Sequence, residues 1–312
     1  MTTALNNNAD EKLDYRQGYF TERDFGPAAA PQDKERQLQD AMMMGDTATD
    51  LTLAVEVNYF RQNNAESFTP VMVKIPGSEM ALARKDGVEH TIIDFIGEVR
   101  DERGTTVQNI RDSRDIRLAD ATAQEWAKRS IAYETGFNLL PGTYTIKILA
   151  RDSETARIGT YLSRFTIPNL NRDDQQLPIT SVVLGSQLDE VPVNSSGANP
   201  LVQDGKKLMP SVTRVFSSKN DMYVYLQAFE KGATAAKPLM AHATFYKGSV
   251  KVMETPLTTV SDGLDPKSKM LPIRLDVPLA SLKPGEYDCQ VTVLDPATQK
   301  SALWQKPVMI VP

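Results

Sequence analysis

The side chains best suited to catalysis are few and far apart in this sequence. The 312 residues include two histidines, His90 and His242, and one cysteine, Cys289. A serine hydrolase needs a histidine base beside its nucleophile, and no Gly-x-Ser-x-Gly turn is present to carry one. A structural zinc site needs four Cys or His ligands at short spacings. We therefore interpret both histidines as ordinary residues at strand starts and expect no catalytic residue, no cofactor and no metal.

Two short segments concentrate carboxylates in predicted loops. They are Asp173-Asp174 and Asp262-Gly263-Leu264-Asp265. Calcium prefers several oxygen ligands, but the spacing of these residues matches no EF-hand loop. Aspartate and glycine are also common turn formers. We interpret both segments as turns.

Composition excludes two classes of partner. The chain carries 35 basic and 40 acidic residues, a formal net charge of −5. A nucleic-acid binder is expected to show a basic excess or a basic stripe. No apolar run approaches the roughly 18 residues that a membrane span needs, and no signal peptide is recognised at the start. A single cysteine forms no internal disulfide, so it does not indicate the compartment.

The elements that would position any site are predicted to be strands. Apolar residues alternate with polar ones from Leu51 to Tyr59, a period of two that is typical of a half-buried strand. Residues 90–100 and 106–111 predict a hairpin around a turn that ends in Gly104. A short helix is predicted to begin at Pro31 and to stop at Gly45. The predicted class is therefore all-β.

An internal repeat refines this fold prediction. Leu139-Leu140-Pro141-Gly142-Thr143-Tyr144 recurs as Leu282-Lys283-Pro284-Gly285-Glu286-Tyr287, 143 positions later. A turn that feeds an alternating strand with a tyrosine near its start is typical of immunoglobulin-like sandwiches. We expect two tandem immunoglobulin/fibronectin-III-like β-sandwiches. Tyr144 and Tyr287 should be buried structural corners with their hydroxyls bonded to nearby backbone, and Cys289 should be an inert core residue.

The predicted organisation has an N-terminal arm with the short helix (1–45), a first sandwich (46–170), a hinge (171–176) and a second sandwich (177–312). The second sandwich carries a long loop, 185–209, with little periodicity. Loops of that length in a compact domain are usually functional or lie across the surface.

The N-terminal arm is the clearest candidate for a contact surface. It holds the aromatic residues Tyr15, Tyr19, Phe20 and Phe25 in a segment with little periodic apolar surface of its own, so these side chains need another surface to cover them. The predicted helix adds an apolar stripe with Leu38 and Met42. We expect these residues to dock either on the first sandwich or on a neighbouring subunit, and we favour the neighbouring subunit.

Several segments resemble one known family. They are Arg16-Gln17-Gly18-Tyr19-Phe20, Phe68-Thr69-Pro70-Val71, Thr135-Gly136-Phe137 and Leu177-Pro178-Ile179-Thr180-Ser181-Val182-Val183-Leu184. Their order and spacing resemble the C-terminal region of the von Willebrand factor A (VWFA)-related proteins of Acidobacteria. The Asp-x-Ser-x-Ser metal-adhesion motif of that family's A domain is absent, so no metal-dependent adhesion is implied. The resemblance implies a periplasmic, extracellular or cell-surface location and supplies no mechanism.

The sequence is compatible with three functions. The leading hypothesis is a non-enzymatic structural or protein-interaction module of an exported bacterial protein, which self-associates as a scaffold or surface subunit. The alternative is a carbohydrate-binding module that would use Tyr223, Tyr225, Tyr246 and Trp304, with polysaccharide as its partner. A hydrolase with a site built in the loop 185–209 is the third. Neither nucleic acid nor a membrane span is expected.

Overall fold

The computed structural model describes residues 31–44, 48–85, 88–118, 130–172, 175–191 and 199–312. The helix is α1, Pro31–Met43. The strands are β1 Ala54–Val57, β2 Phe60–Arg61, β3 Ser67–Pro76, β4 Ala83–Lys85, β5 Val88–Asp101, β6 Thr106–Leu118, β7 Ser130–Leu139, β8 Gly142–Asp152, β9 Ile158–Ile167, β10 Val183–Glu190, β11 Val202–Gln203, β12 Lys206–Pro210, β13 Val215–Ser217, β14 Asp221–Phe229, β15 Leu239–Lys247, β16 Val250–Glu254, β17 Thr258–Val260, β18 Met270–Pro278, β19 Gly285–Asp295 and β20 Lys300–Val311.

The described strands form four sheets that pack in pairs. Sheet I contains β1, β2, β3 and β7, and sheet II contains β4, β5, β6, β8 and β9. Sheet III contains β10, β11, β12, β14 and β18, and sheet IV contains β13, β15, β16, β17, β19 and β20. Sheets I and II enclose one buried core, and sheets III and IV enclose a second. The all-β class with two tandem sandwiches is thus confirmed.

The period of two explains both cores. Strands β8 and β19 are central in their sheets, and the inward residues of β8, such as Ile146 and Ile148, are 0% exposed. Their counterparts in β19, Cys289 and Val291, are 0% and 1% exposed. Burying a side chain of this size contributes roughly 1.5–3 kcal/mol, so these two strands stabilise their sandwiches in the same way.

The two tyrosine corners are equivalent in the structure. Tyr144 and Tyr287 are 8% and 6% exposed. The Tyr144 hydroxyl donates to the Leu140 carbonyl oxygen at 2.9 Å, and the Tyr287 hydroxyl donates to the Lys283 carbonyl oxygen at 2.8 Å. Each bond spans four residues and pins the turn that precedes the strand.

The equivalence continues through the turn at the far end of the strand. The Thr155 hydroxyl donates to Asp152 at 2.8 Å, and the Thr298 hydroxyl donates to Asp295 at 2.6 Å. The residue that follows each threonine, Ala156 or Gln299, has a positive φ, 59° and 58°. Hydrogen bonds and backbone both repeat, which is the expected outcome of a duplicated structural unit.

Replacing either corner tyrosine with phenylalanine removes one hydrogen bond and leaves the packing of the ring. We expect Tyr144→Phe and Tyr287→Phe each to lower the free energy of unfolding by about 0.5–1.5 kcal/mol. Urea denaturation measures this change. Tyr161→Phe is the control, because that tyrosine lies outside the corner motif. Losses that differ between the two corners by more than the control effect would contradict their equivalence.

Helix α1 packs on the chain's own first sandwich. Leu38 is 2% exposed and lies with Ala41 against Leu149 and Ile158 on the outer face of sheet II, and half-buried Met42 joins this cluster. The favoured docking of Leu38 and Met42 on a neighbouring subunit is therefore wrong. The apolar stripe of the helix matches a local apolar patch on β8 and β9, and sequence alone does not show that patch. Tyr15, Tyr19, Phe20 and Phe25 lie outside the described residues.

Polar groups also fix the helix to the sheet. The Lys147 ammonium donates to the carbonyl oxygens of Met42 and Met44 at 2.6 and 2.7 Å. Terminal carbonyls of a helix lack partners within it and carry partial negative charge, so a lysine at this end is stabilising. Arg151, which is 4% exposed, donates to Gln37 at 3.1 Å and lies 3.7 Å from the Asp94 carboxylate.

Cys289 is fully buried in the second core, and burial raises the pKa of its thiol to about 12. The thiolate is the reactive form, so the folded protein should not react with thiol reagents. We expect 5,5′-dithiobis(2-nitrobenzoic acid) to label the thiol only after denaturation. Rapid labelling of the native protein would show that Cys289 is accessible and has a chemical role.

Candidate functional site

The segment predicted as one long loop, 185–209, is largely strand, so that prediction is wrong for most of its described part. Strand β10 continues to Glu190, and β12 returns from Lys206 to pair with it in antiparallel register. Strand β11 adds a short pair at Val202 and Gln203. The residues in these strands are mostly polar on both faces, so the sequence carries no clear period of two. Residues 192–198 lie outside the described residues.

A bulge bends this hairpin out of the plane of sheet III. Strand β10 pairs with β14 only from Val183 to Gly185, and its register with β12 shifts between Gly185 and Gln187. A Cβ atom on Gly185 would lie 2.5 Å from the Met209 carbonyl oxygen, so the crossing needs a glycine. We call the described residues beyond the bulge, 187–191 and 199–210, the flap.

The flap folds over the outer face of sheet III. The Gln203 side-chain amide donates to the Tyr225 hydroxyl at 2.6 Å. At the tip of the flap, the Arg274 guanidinium donates to the Asp204 carboxylate at 2.9 Å. Arg274 belongs to β18, at the opposite edge of the sheet from the flap's own strands. These contacts place the flap tip across the sheet, above β14.

The tip itself is a tight turn. Asp204 and Gly205 have φ values of 53° and 73°. Asp-Gly with two positive φ angles is the favoured composition of a type I′ hairpin turn, whose twist matches that of the flanking strands. The turn therefore projects the Asp204 carboxylate toward Arg274.

The flap and the sheet enclose a cleft of about 810 Å³. Apolar side chains of the flap and the half-buried ring of Tyr223 contribute its apolar surface, and charged and amide groups contribute the remainder. The lining side chains include Leu188, Leu201, Leu208, Tyr223, Gln203, Asp204, Lys206, Arg274, Asp276, Thr255 and Thr258. The cleft continues over the β18 edge to the segment 255–258.

Tyr225 forms the fixed floor beneath the flap. It is 3% exposed, and its hydroxyl also accepts a hydrogen bond from the Gln227 amide at 3.0 Å. Burial raises the pKa of Tyr225 to about 12, so the phenol stays neutral across the physiological range.

Beside the cleft, the first sandwich inserts an aromatic side chain into the second. Phe60 of β2 is 0% exposed and packs with Val183, Leu201, Leu208 and Tyr225. The ring centroids of Phe60 and Tyr225 lie 5.8 Å apart. The same residues thus hold the flap and join the two sandwiches.

Arg61 continues this junction with a buried guanidinium. It is 7% exposed and stacks over the Phe229 ring at 4.2 Å. Its side chain donates to the Ser268 carbonyl oxygen at 3.1 Å and to Asn171 Oδ1 at 2.9 Å. Asn171 belongs to the predicted hinge, 171–176, so the described start of that segment is tied to both sandwiches. Buried charges are tolerated only with such partners.

Two hydrogen bonds between Tyr59 and Ser181, and an ion pair, extend the junction. The Tyr59 amide donates to the Ser181 hydroxyl at 2.9 Å, and the Ser181 amide donates to the Tyr59 carbonyl oxygen at 3.2 Å. Glu134 of sheet I forms an ion pair with Lys207 of the flap and accepts a hydrogen bond from the Asn199 amide at 3.0 Å. The flap therefore contacts both sandwiches.

Glu56 is a buried carboxylate on the outer face of sheet I. It is 9% exposed and accepts a hydrogen bond from the Asn58 amide at 3.1 Å, while its second oxygen has no hydrogen-bond partner among the described residues. Burial raises the pKa of Glu56, and the positive charges of Arg214 and Lys74 oppose that rise in part.

A raised carboxyl pKa favours folding at low pH, where Glu56 is protonated, and this contribution is lost as pH rises through the folded pKa. We expect Glu56→Gln to increase the free energy of unfolding at about pH 7.5, with a smaller gain at about pH 4. Denaturant titrations at both pH values measure the effect. Glu286→Gln, which changes an exposed carboxylate, is the matched control. A gain that is largest at the lower pH would show that the sign is wrong.

In the described part of the chain, each histidine lies beside a carboxylate. His90 lies in β5 with its Nε2 atom 2.7 Å from Asp115, and His242 lies in β15 with its Nε2 atom 4.0 Å from Glu254. Among the described residues, neither imidazole is hydrogen-bonded to a serine or cysteine. His90 is the third residue of β5, near the strand start as predicted. His242 lies close to the middle of the nine-residue β15, so the prediction of a strand start is wrong for that histidine.

Of the predicted turn carboxylates, Asp265 has hydrogen-bond partners that stabilise a turn. Asp265 accepts hydrogen bonds from the amides of Lys267 and Ser268, both at 3.1 Å, which is the role of a turn former. Asp173-Asp174 lie outside the described residues. Within the ranges that the structure describes, no group of three or more acidic, histidine or cysteine side chains is placed to hold a metal ion.

The four aromatic residues considered for carbohydrate do not form one row. Tyr225 is buried under the flap, and Tyr223 lies in the cleft. Tyr246 follows the fully buried Phe245 in β15, so it faces outward from sheet IV. Trp304 is the antiparallel partner of buried Val291, so it lies on the inner face of sheet IV, opposite to Tyr246, and packs against the second core. Only Tyr223 is placed to meet a ligand in the cleft.

Sequence reasoning missed the polar residues of the cleft and the pair Phe60-Arg61. One signal was available for the pair, because Tyr59 and Phe60 are consecutive aromatics at the end of an alternating strand. Consecutive strand residues point to opposite faces, so one of the two had to face away from the first core. For Gln203, Asp204, Arg274 and Asp276 no signal existed, because their meeting depends on the bulge at Gly185.

Comparisons with known proteins add little to this description. No family model and no curated protein matches the chain. A structure assigned as a beta-galactosidase from Bacteroides fragilis aligns at 14% identity with a TM-score of 0.26, covering 36% of this chain and 16% of that chain. Two structures of Escherichia coli alpha-2-macroglobulin align at 7% identity. The elastase-activated form has a TM-score of 0.25 and the native form 0.31.

Both macroglobulin alignments cover 84% of this chain, but only 24% and 26% of the macroglobulin chains. The chain thus spans a small part of each of these proteins. Because no TM-score reaches 0.5, these similarities identify no function. Among the described residues, no helix is long and apolar enough to cross a membrane.

Proposed function

We propose that the chain is a non-enzymatic structural and protein-interaction module of an exported bacterial protein, in which the two sandwiches act as one rigid unit. The observation that carries this proposal is the junction. Phe60 fills an apolar cluster of the second sandwich, and Arg61 donates to the Ser268 carbonyl oxygen there. A buried aromatic and a hydrogen-bonded buried cation hold two domains more firmly than a polar linker does.

Exposed apolar side chains support the interaction role. In sheet IV, Val250 and Val252 of the edge strand β16 are 62% and 45% exposed, and nearby Leu257 is 52% exposed. Clustered apolar residues on a surface often mark protein contacts. An edge strand also presents unpaired backbone groups to a partner.

The proposal includes self-association through the arm. Helix α1, which follows the arm in sequence, is fixed to sheet II, and the arm carries the aromatic residues Tyr15, Tyr19, Phe20 and Phe25. Four aromatics without a core of their own are costly to leave in water. The proposed partner for them is a second copy of the chain.

Light scattering tests the assembly role. We expect the full chain to show a mass above its 34.6 kDa monomer, and a variant lacking residues 1–30 to be monomeric. The truncation keeps α1 in place, so sheet II stays covered. Replacing the four arm aromatics with serine in the full chain is the matched control and should have the same effect as the truncation. A monomeric full chain would contradict self-association.

The exported setting is implied by the resemblance to VWFA-related proteins of Acidobacteria. Cell fractionation tests it: the native protein is expected in the periplasmic or surface fraction. Recovery from the cytoplasm alone would contradict this location.

A further inference from the structure

We propose that the cleft beneath the flap binds a neutral oligosaccharide. The site brings together the half-buried Tyr223 ring, the amide of Gln203 and the charged groups of Asp204, Arg274 and Asp276. This ligand function goes beyond the structural role proposed above and does not depend on it.

The size of the cleft suits a small-molecule or oligosaccharide site. Its volume of about 810 Å³ lies within the range of roughly 300–1,000 Å³ that is typical of ligand pockets. Such pockets combine an apolar surface with a few convergent polar groups. Leu188, which is 38% exposed, and the half-buried Tyr223 provide most of the accessible apolar surface, because Leu201 and Leu208 are only 3% and 5% exposed. The flap tip and β18 provide the polar groups.

Tyr223 is positioned to stack against a sugar ring. It lies on the outer face of sheet III, next to Tyr225, whose hydroxyl is held by Gln203 and Gln227. An aromatic ring offers a flat apolar face together with a polar tip. The C–H face of a pyranose has the matching character, with hydroxyls around an apolar plane.

The polar lining matches hydroxyl groups better than it matches an ion. Guanidinium and carboxylate groups each present two donors or two acceptors in one plane, as vicinal hydroxyls require. The Gln203 side chain adds its carbonyl oxygen as an acceptor, because its nitrogen already donates to the Pro200 carbonyl oxygen and the Tyr225 hydroxyl. Arg274 and Lys206 balance the charges of Asp204 and Asp276. A lining without net charge gives no electrostatic preference for an anion or a cation, so the ligand is expected to be neutral.

The edge of β18 argues against an extended peptide as the ligand. The Gln227 carbonyl oxygen accepts from the Thr180 amide at 2.9 Å, on the side of β14 away from β18, and Gln227 is paired with Pro272. Backbone hydrogen-bonding groups alternate in direction along an antiparallel strand. Those of Pro272, Arg274, Asp276 and Pro278 therefore point away from β14, toward the free edge of the sheet. Two of these four residues are prolines, which have no N–H to donate. A peptide strand that pairs with this edge could therefore accept backbone N–H hydrogen bonds only from Arg274 and Asp276.

The tip of the flap can exchange its ion pair for ligand contacts at little cost, while Gln203, Leu201 and Leu208 keep the rest of the flap in contact with Tyr225. The ion pair that closes it has side-chain exposures of 50% for Arg274 and 82% for Asp204. Exposed ion pairs contribute little to stability because water screens them. A ligand hydroxyl can therefore exchange with either partner.

Affinity electrophoresis tests this site with defined probes. Native gels are cast with barley β-glucan, xylan or galactomannan as neutral polysaccharides, with alginate as an anionic one and with gelatin as an extended polypeptide. We expect at least one neutral polysaccharide to retard the protein. Tyr223→Ala should weaken that retardation at least tenfold, and Arg274→Gln should weaken it as well.

Tyr246→Ala is the matched control, because it removes a half-buried tyrosine from the outer face of sheet IV and should leave retardation unchanged. Circular dichroism confirms that each variant is folded. The proposal is overturned if no neutral polysaccharide retards the protein, if only alginate or gelatin does, or if the two tyrosine variants lose retardation equally. The mass measured by light scattering is independent of these outcomes, so each proposal can fail alone.

Discussion

Replacing Phe60 with alanine is expected to lower the free energy of unfolding by about 3–5 kcal/mol and to uncouple the two sandwiches. The phenyl ring is 0% exposed, and its apolar neighbours belong to the second sandwich and the flap. Its removal leaves a cavity at the junction and exposes part of the surface around Tyr225. The first core, which Phe60 does not enter, should remain intact.

Urea denaturation followed by circular dichroism measures this effect. We expect one cooperative transition in the unmodified chain and two in Phe60→Ala. Phe95→Ala is the control, because Phe95 is also 0% exposed but stacks on Tyr133 within the first core, at a centroid distance of 3.9 Å. It should destabilise the first sandwich by a similar amount. Two well-separated transitions in the unmodified chain would contradict the coupling.

Replacing Gly185 with alanine is the second substitution with a large expected effect, about 1–3 kcal/mol of destabilisation. The added Cβ would lie 2.5 Å from the Met209 carbonyl oxygen and 2.7 Å from the Leu208 side chain. Backbone cannot yield as a flexible side chain does, so the flap should move away from sheet III. Gln203 and Asp204 would then lose their contacts with Tyr225 and Arg274.

Hydrogen exchange of peptides that cover residues 199–210 detects this movement. We expect faster exchange there in Gly185→Ala and unchanged exchange in β19, which lies in the opposite sheet. Ser186→Ala is the matched control, since it alters an exposed neighbour at the same bulge without adding an atom to the crossing. Unchanged exchange across the flap would show that Gly185 does not set its position.

The repeated corners explain why the architecture could be predicted from sequence. Leu-x-Pro-Gly-x-Tyr encodes a local event, a turn pinned by a hydrogen bond over four residues, and Tyr144 and Tyr287 both form it. The strands that follow alternate in polarity, so their buried faces can be assigned without a structure. Local signals of this kind do not depend on distant parts of the chain.

The flap and the helix show where such prediction fails. Strand β12 has little alternation because one of its faces meets the cleft and the other carries Lys207, which pairs with Glu134 of sheet I. Asp204 and Arg274 are 70 positions apart, and no local sequence pattern around either residue predicts their contact. The docking of Leu38 likewise depends on Leu149 and Ile158, which lie on a face of sheet II that a sandwich normally leaves to solvent.

Electron spin resonance distance measurements test the rigid junction most directly. Nitroxide labels at Arg164→Cys in β9 and Leu303→Cys in β20, both exposed, place one probe on each sandwich, while buried Cys289 remains unlabelled. We predict one narrow distance distribution for the otherwise unmodified chain and a broad one when Phe60→Ala is added. A broad or multiple distribution without that substitution would contradict a single rigid unit.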